Sequence, residues 1–278
     1  MKMNKAIMLA AAAALTHSSC VKDDLYDTPH PGHGKITVTA DWSGRGTGLD
    51  IPEKWNVALG DYNGEETDAV HTPDYLFAPA DYTLMAWNPA DGINMEGNTA
   101  TATYSATQLG WFFTHAQTVS VLKDRDHDFT AAMRQQVRQL TVVITPAGDA
   151  ATRITGIEAT LGGVAGSLDF VSGEHSAPTT LKLVFRKSKD RNQWAATVRL
   201  LGVAGQAQKL AGTVTFADGN PLTLSFESDL SSALSDFNSY KPEPLNLGGS
   251  LVATPSQTGV TAVIEKWHEL DDWNVDAF

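Results

Sequence analysis

The chain has 278 residues, 42% of them hydrophobic and 19% charged, a composition that describes a foldable globular protein and excludes a disordered tail or a collagen-like repeat. The length suits two domains of about 100–130 residues each, or one large one. The formal net charge is −12, and no acidic residue precedes Cys20. With no basic face to displace phosphate counterions, nucleic acid is not an expected partner, and surface charge cannot hold this body to an anionic membrane.

The N-terminus offers another route to a membrane. Lys2 and Lys5 precede an uninterrupted apolar run, Ala6–Leu15, and then Thr16-His17-Ser18-Ser19-Cys20. A charged start, a short apolar core and small residues at its end read as a secretory signal peptide, too short to span a bilayer. Cys20 is the one cysteine of the sequence and follows two serines, as in a bacterial lipoprotein signal, although His17 stands where an aliphatic residue is usual. We therefore expect residues 1–19 to be removed and Cys20 to carry fatty acids such as palmitate. Several acyl chains, at about 0.8 kcal/mol per buried methylene, make such attachment effectively permanent. With no second cysteine, no disulfide staples the fold, and stability must come from a buried core. Lys22-Asp23-Asp24 directly follows; it resembles the export signal that sends Bacteroidetes lipoproteins to the outer face of the outer membrane.

Residues 26–34, with two prolines and two glycines, read as a tether. Lys35–Ser43 alternates apolar and polar residues and predicts a first strand. Trp55–Leu59, Tyr75–Phe77, Asp81–Trp87, Asn98–Tyr104 and Thr118–Leu122 continue as short strands. Turn signals recur about every 8–12 residues, which predicts antiparallel sandwiches and not βαβ units. A second block starts near Phe129. There Ala132–Thr145 reads as one long strand that could begin with a helical turn. Arg153–Leu161 follows, Gly162–Gly166 interrupts, and Ser167–Phe170 resumes. Thr179–Arg186, Gln193–Leu201, Ala211–Phe216 and Pro221–Ser228 are further strands, the last two joined by an Asp218-Gly219-Asn220 turn. Ser228–Pro244 reads as loop, or short helix plus loop, and Gly259–Trp267 as the final strand before an acidic, aromatic tail. The expected organisation is a signal peptide (1–19), a lipidated tether (20–34), an N-terminal β-sandwich (35–128) and a C-terminal β-sandwich (129–278).

Residues that could carry chemistry are few. His30 and His33 lack further ligands at zinc-site spacing. Asp124, Asp126 and Asp128 imitate the opening of a calcium loop, but Phe129 and Gln135 occupy the positions of its glycine and glutamate. Glu265, Glu269, Asp271 and Asp272 show no paired-acid arrangement of a glycosidase. No nucleophile elbow, P-loop, dinucleotide fingerprint or zincin motif is present. Neither enzyme activity nor a metal or cofactor is expected. Among the seven tryptophans, Trp42, Trp87, Trp194 and Trp267 sit in strand patterns that favour core packing. Trp111, ahead of Phe112 and Phe113, is the best candidate for an exposed ring, and it keeps open an alternative role as a surface glycan-binding lipoprotein of a polysaccharide-utilisation system.

Several segments together resemble the FimB/Mfa2 family of Bacteroidales fimbrial lipoproteins. These are Cys20–Leu25 leading into Ala40-Asp41-Trp42, then Asp81–Asn88, Arg138–Thr145, Ile157–Gly166 and Leu222–Phe226, in that order along nearly the whole chain after Cys20. The resemblance implies two tandem transthyretin-like β-sandwiches, a lipidated N-terminus, no enzymatic activity, and a role as anchor or accessory subunit of a type V pilus on the outer-membrane surface, with fimbrillin subunits as partners. Pilus subunits join when an extended segment adds to an open sheet edge. The exchangeable candidates are Ile36–Asp41 and Gly259–Phe278. The first must stay in place because it links lipid to body, so partner contact is expected at the second, through Val260, Ala262, Ile264 and Trp267. Plain alternation places Val260, Ala262, Ile264, Lys266 and His268 on one face, with Thr261, Val263, Glu265 and Trp267 on the other.

Overall fold

The computed structural model describes residues 30–105, 108–148, 152–189, 191–217, 223–256 and 259–270, and all regular structure among them is β-strand. The first ten strands are β1 (Gly34–Asp41), β2 (Trp55–Leu59), β3 (Tyr62–Glu66), β4 (Val70–His71), β5 (Ala80–Trp87), β6 (Ile93–Glu96), β7 (Thr99–Ala102), β8 (Phe113–Val121), β9 (Arg125–Ala132) and β10 (Arg134–Gln135). Eight of them form a sandwich of a three-stranded sheet, β4-β1-β9, facing a five-stranded sheet, β10-β8-β5-β2-β3. β1 fulfils its alternation: Ile36, Val38 and Ala40 point into the core while Lys35, Thr37 and Thr39 face outward. With Trp42, which follows β1, they meet Trp55, Val57, Leu59, Leu84 and Phe113 from the opposite sheet. Trp55 also satisfies its indole N–H on the Asp68 carbonyl (2.7 Å). At one rim His71 of β4 joins the two sheets, with Nδ1 at 2.6 Å from a Glu66 carboxylate oxygen and Nε2 at 2.6 Å from the Tyr62 hydroxyl, both on β3.

The remaining strands are β11 (Arg138–Pro146), β12 (Ile154–Asp169), β13 (Glu174–Val184), β14 (Arg186–Lys187), β15 (Trp194–Leu200), β16 (Lys209–Phe216), β17 (Thr223–Asp229), β18 (Leu245–Ser256) and β19 (Gly259–Glu269). One sheet runs β14-β15-β11-β18-β19 and the other β17-β16-β12-β7-β6, with β13 paired to β12. β11 is the apolar run Leu140–Thr145, flanked by β15 antiparallel and β18 parallel. A strand covered on both faces needs no alternation, so it reads as continuous. No helical turn precedes it: Arg134–Gln135 is a short strand on β8. Gly162–Gly166 does not interrupt the chain either, because β12 passes through it with a bulge. Gly163, at φ +73°, takes a conformation that side chains resist, and a Cβ there would lie 2.3 Å from the Ala207 carbonyl oxygen.

Strand pairing refines the expected division at 128/129. β9 runs to Ala132 alongside β1 in parallel, and β10 pairs with β8, so residues 129–135 complete the first sandwich. Conversely, the β6–β7 hairpin lies between first-sandwich strands in sequence but adds to the far end of β12 in the second. A third apolar cluster fills the junction, drawing Leu109 and Phe112 from one side and Val137, Leu168, Phe170 and Leu201 from the other. Polar contacts lace the same seam. The buried Tyr104 hydroxyl donates to the Ala165 carbonyl (2.8 Å) and accepts from the Leu201 N–H (3.2 Å). Gln108 donates to the Thr197 carbonyl (2.8 Å) and accepts from the Arg199 N–H (2.7 Å). Burial pushes the Tyr104 hydroxyl pKa strongly up, keeping it a neutral donor.

Candidate functional site

β19 is the last strand of its sheet, and among the described residues it pairs only with β18. From Gly259 to Glu265 the ladder is regular, with Val260 opposite Pro255, Ala262 opposite Ala253 and Ile264 opposite Leu251. The register then shifts by one residue. Lys266 takes φ +41° as the extra residue of a bulge, and Trp267 swings to the side already occupied by Ile264. Ala262 (7% exposed) and Ile264 (6%) belong to the second core, with Trp267 packed on it and its indole N–H donating to Ser228 Oγ of β17 (2.8 Å). The alternation expected from sequence is thereby corrected beyond Glu265: Trp267 shares the inner face with Ala262 and Ile264, while Lys266 and His268 are exposed.

The Gly248-Gly249 step of β18 makes room for this arrangement. A Cβ on Gly249 would sit 2.6 Å from Ile264 Cγ2 and 3.0 Å from the Trp267 ring. Gly249→Ala is expected to destabilise the fold by about 1–3 kcal/mol through overpacking, which a denaturation midpoint shift would report; an unchanged midpoint would contradict the packing described.

The side chains of Ala262, Ile264 and Trp267 are thus committed to their own sandwich. What β19 offers outward is a backbone edge unpaired among the described residues, with Val263 (44% exposed) beside it. β17, the edge strand of the facing sheet, runs along the same flank. Of the residues expected to meet a partner, Ala262, Ile264 and Trp267 face the inside of their own sandwich. The strand's signal for the correct phase was the apolar series 260, 262, 264 followed by Trp267 in place of residue 266.

Cys20, Lys22, Asp23 and Asp24 lie outside the described residues. The tether can be followed from His30, where it is fastened to the β8–β9 turn. His30 Nε2 lies 2.7 Å from Asp126 Oδ1, the Gly32 N–H donates to Asp124 Oδ1 (2.6 Å), and the Asp124 N–H donates to the His33 carbonyl (2.7 Å). Asp124 and Asp126 therefore clamp the start of the body, and Asp126 and Asp128 belong to β9. Hydrogen bonding to Asp126 raises the His30 pKa above its ordinary 6.5. A raised folded-state value means that the clamp stabilises fully below about pH 6.5 and fades as pH rises through the folded-state pKa. The stability difference between the wild type and Asp126→Asn should accordingly be largest near pH 5–6 and shrink by pH 8–9; a pH-independent difference would rule the clamp out. Among the described residues no group of three or more His, Cys, Asp or Glu side chains could hold a metal ion.

Trp111 is no sugar platform. The Arg199 guanidinium covers its ring at 4.2 Å from the centroid, anchored by Nη1 to the Leu109 carbonyl (3.1 Å), and the ring packs against the first and the junction clusters. Trp42 (6% exposed) and Trp194 (6%) are core residues as expected. Trp87 and Trp267 pack at core margins.

The described residues thus form two all-β sandwiches joined through a third apolar cluster, with a fastened N-terminal tether and, among the described residues, β19 at the edge of its sheet. The same fold occurs in solved structures. The fimbrial anchor protein Mfa2 from Porphyromonas gingivalis superposes with a TM-score of 0.57 at 16% identity, covering 87% of this chain and 98% of that one. A candidate adhesin from Bacteroides ovatus gives 0.58 at 8% identity, covering 87% and 96%. A candidate polysaccharide-binding protein from Bacteroides thetaiotaomicron gives 0.54 at 9% identity, covering 88% and 99%. No protein-family model and no curated protein matches the chain in sequence.

Proposed function

We propose that this chain belongs to the FimB/Mfa2 family and acts as a lipid-anchored fimbrial anchor or accessory subunit on the outer-membrane surface. In this reading Cys20 carries the acyl chains, Lys22-Asp23-Asp24 directs export to the outer face, and a fimbrillin subunit adds a strand to β19. The observation that carries it is the edge itself: an 11-residue strand whose inner side chains Ala262 and Ile264 are fixed in their own core while, among the described residues, its outer backbone is unpaired. Such an edge is a hazard in a free soluble protein and an asset in one that receives an extended chain, because main-chain hydrogen bonds supply affinity and alternate side chains supply specificity. The fastened tether supports the same reading, since load from a filament passes from the sandwich through the His30–Asp126 contact toward the lipid.

The glycan-binding alternative gains support from the neighbour described as polysaccharide-binding and loses its aromatic platform with the covering of Trp111 by Arg199. The neighbouring folds are of anchor and adhesion type, which favours a non-enzymatic role.

Cys20→Ser tests the anchoring step. The variant should leave the membrane fraction for the soluble one and carry fimbriae into the medium with it. Retention in the membrane fraction would overturn the lipid assignment, and cell-bound fimbriae in its presence would overturn the anchoring role.

A further inference from the structure

The chain enters the first sandwich at Gly34, and exposed apolar side chains surround that entry. Gly34 exchanges both backbone hydrogen bonds with Phe77 (2.8 and 2.9 Å), and a Cβ on it would lie 2.8 Å from the Leu122 carbonyl oxygen. The segment 75–80, Tyr-Leu-Phe-Ala-Pro-Ala, carries no charge, and of its six residues only Phe77 is buried. Tyr75 is 46% exposed, Leu76 45% and, on the other side of Gly34 in the β8–β9 turn, Leu122 50%. Spacings of about 5 Å between neighbouring chains and about 4 Å along one put the backbones of Leu76 and Leu122 within about 14 Å of each other. The Tyr75 ring is held in place by Phe77 (centroids 4.7 Å apart) and Tyr62 (5.8 Å).

This rim stands at the end of the first sandwich away from the second. β8 leaves the junction at Phe113 and ends at Val121, and β9 returns from Arg125. Clustered apolar side chains in water mark a contact surface, and the chain that arrives there indicates what the contact is. His30, clamped to Asp126, lies ten residues after Cys20, so an acylated sulfur in the bilayer is at most about 35 Å from the clamp. On the lipid-anchored reading above, we propose that Tyr75, Leu76 and Leu122 enter the outer leaflet beside the acyl chains and seat the first sandwich on the membrane. Tyrosine suits the headgroup level, and the leucines suit the acyl boundary beneath it. Asp74 and Asp81 bound the uncharged run, so the contact is apolar and needs no anionic lipid. The tether makes it intramolecular, so a few side chains suffice where a free protein would bind weakly. The second sandwich, with β19, then projects away from the bilayer.

The test uses the full chain purified with its acyl groups, checked at Cys20 by mass spectrometry and reconstituted in phosphatidylcholine vesicles. A nitrobenzoxadiazole label is attached at Lys123→Cys, beside Leu122, or at Lys187→Cys on β14 of the second sandwich; both positions are exposed. Phosphatidylcholine carrying a doxyl group high on its acyl chain should quench the label at 123 at least about twofold more than the label at 187, since only the first sits at the leaflet. Leu76→Ser with Leu122→Ser replaces two half-exposed side chains that the fold can lose. That pair should bring the two positions to equal quenching while the protein stays on the vesicles. An acylated wild-type chain quenched equally at both positions would overturn the membrane contact and leave the anchoring reading in place. Stronger quenching at 123 that persists in the double variant would overturn its assignment to these side chains. An unmodified Cys20 would overturn the anchoring reading and the contact with it.

Discussion

Phe112→Ala is expected to lower the unfolding free energy by about 3–5 kcal/mol and to do so for both sandwiches at once. Phe112 is fully buried (0% exposed), in a cluster whose members come from both halves of the chain. Truncating it leaves a cavity that neither half can close alone. Its carbonyl also accepts the Gln136 N–H (2.8 Å) at the crossing from one sandwich to the other, so the backbone there relaxes little and the cavity persists. With the β6–β7 hairpin built into the second sheet and Gln108, on the connection back to β8, bonded to Thr197 and Arg199 of β15, the two sandwiches should unfold in one transition. Tryptophans sit in both cores: Trp42 and Trp55 in the first, Trp194 in the second. Urea unfolding followed by their fluorescence should therefore give one shifted transition. A second transition left at its wild-type midpoint would show that the halves are independent, and so would a loss below about 1 kcal/mol.

A module that transmits filament load benefits from this coupling. Two domains on a flexible linker would separate under tension, whereas a shared core and a donated hairpin must unfold for the halves to part. The rigid seam thus links the packing of Phe112 to the proposed work of the molecule between lipid and fimbria.

Val263→Lys carries the second large expectation. Position 263 is 44% exposed on β19, so the substitution should change stability by no more than about 0.5 kcal/mol. A charge on an edge strand, however, discourages pairing with another chain. Cells carrying Val263→Lys should retain the protein at the membrane and lose the attachment of fimbriae to it. The equivalent change at Val184 (66% exposed) on β13, which pairs with β12 instead of ending the β19 sheet, should leave attachment intact. Equal loss from both variants would point to general surface charge, and no loss from Val263→Lys would remove β19 as the contact.

How much of this was legible in the chain depended on burial. β1 and β5 announced themselves because one face is buried and the other wet, and β11 because a central strand is apolar throughout. β3, β6 and β9 did not. The outer strand β9 reads Arg-Asp-His-Asp before its first apolar residue, and its pairing with β1 comes from tertiary contacts and not from its own pattern. β18 contains Gly248, Gly249 and Pro255, residues that weaken a strand pattern; the close approach of Ile264 and Trp267 leaves no room for a side chain at Gly249. The insertion of β6–β7 into the other sheet has no local signature, since both sheets accept the same kind of hairpin. Across Gly259–Glu269 the strand was legible and its phase was not, because a single bulge at Lys266 reverses which side chains face inward.

The most direct test of the proposed role is photo-crosslinking from a benzophenone amino acid at position 263 on living, fimbriated cells. An adduct of this chain with one fimbrial subunit is expected, abundant from position 263 and absent from position 184. Adducts with no fimbrial subunit, or equally from both positions, would contradict that role.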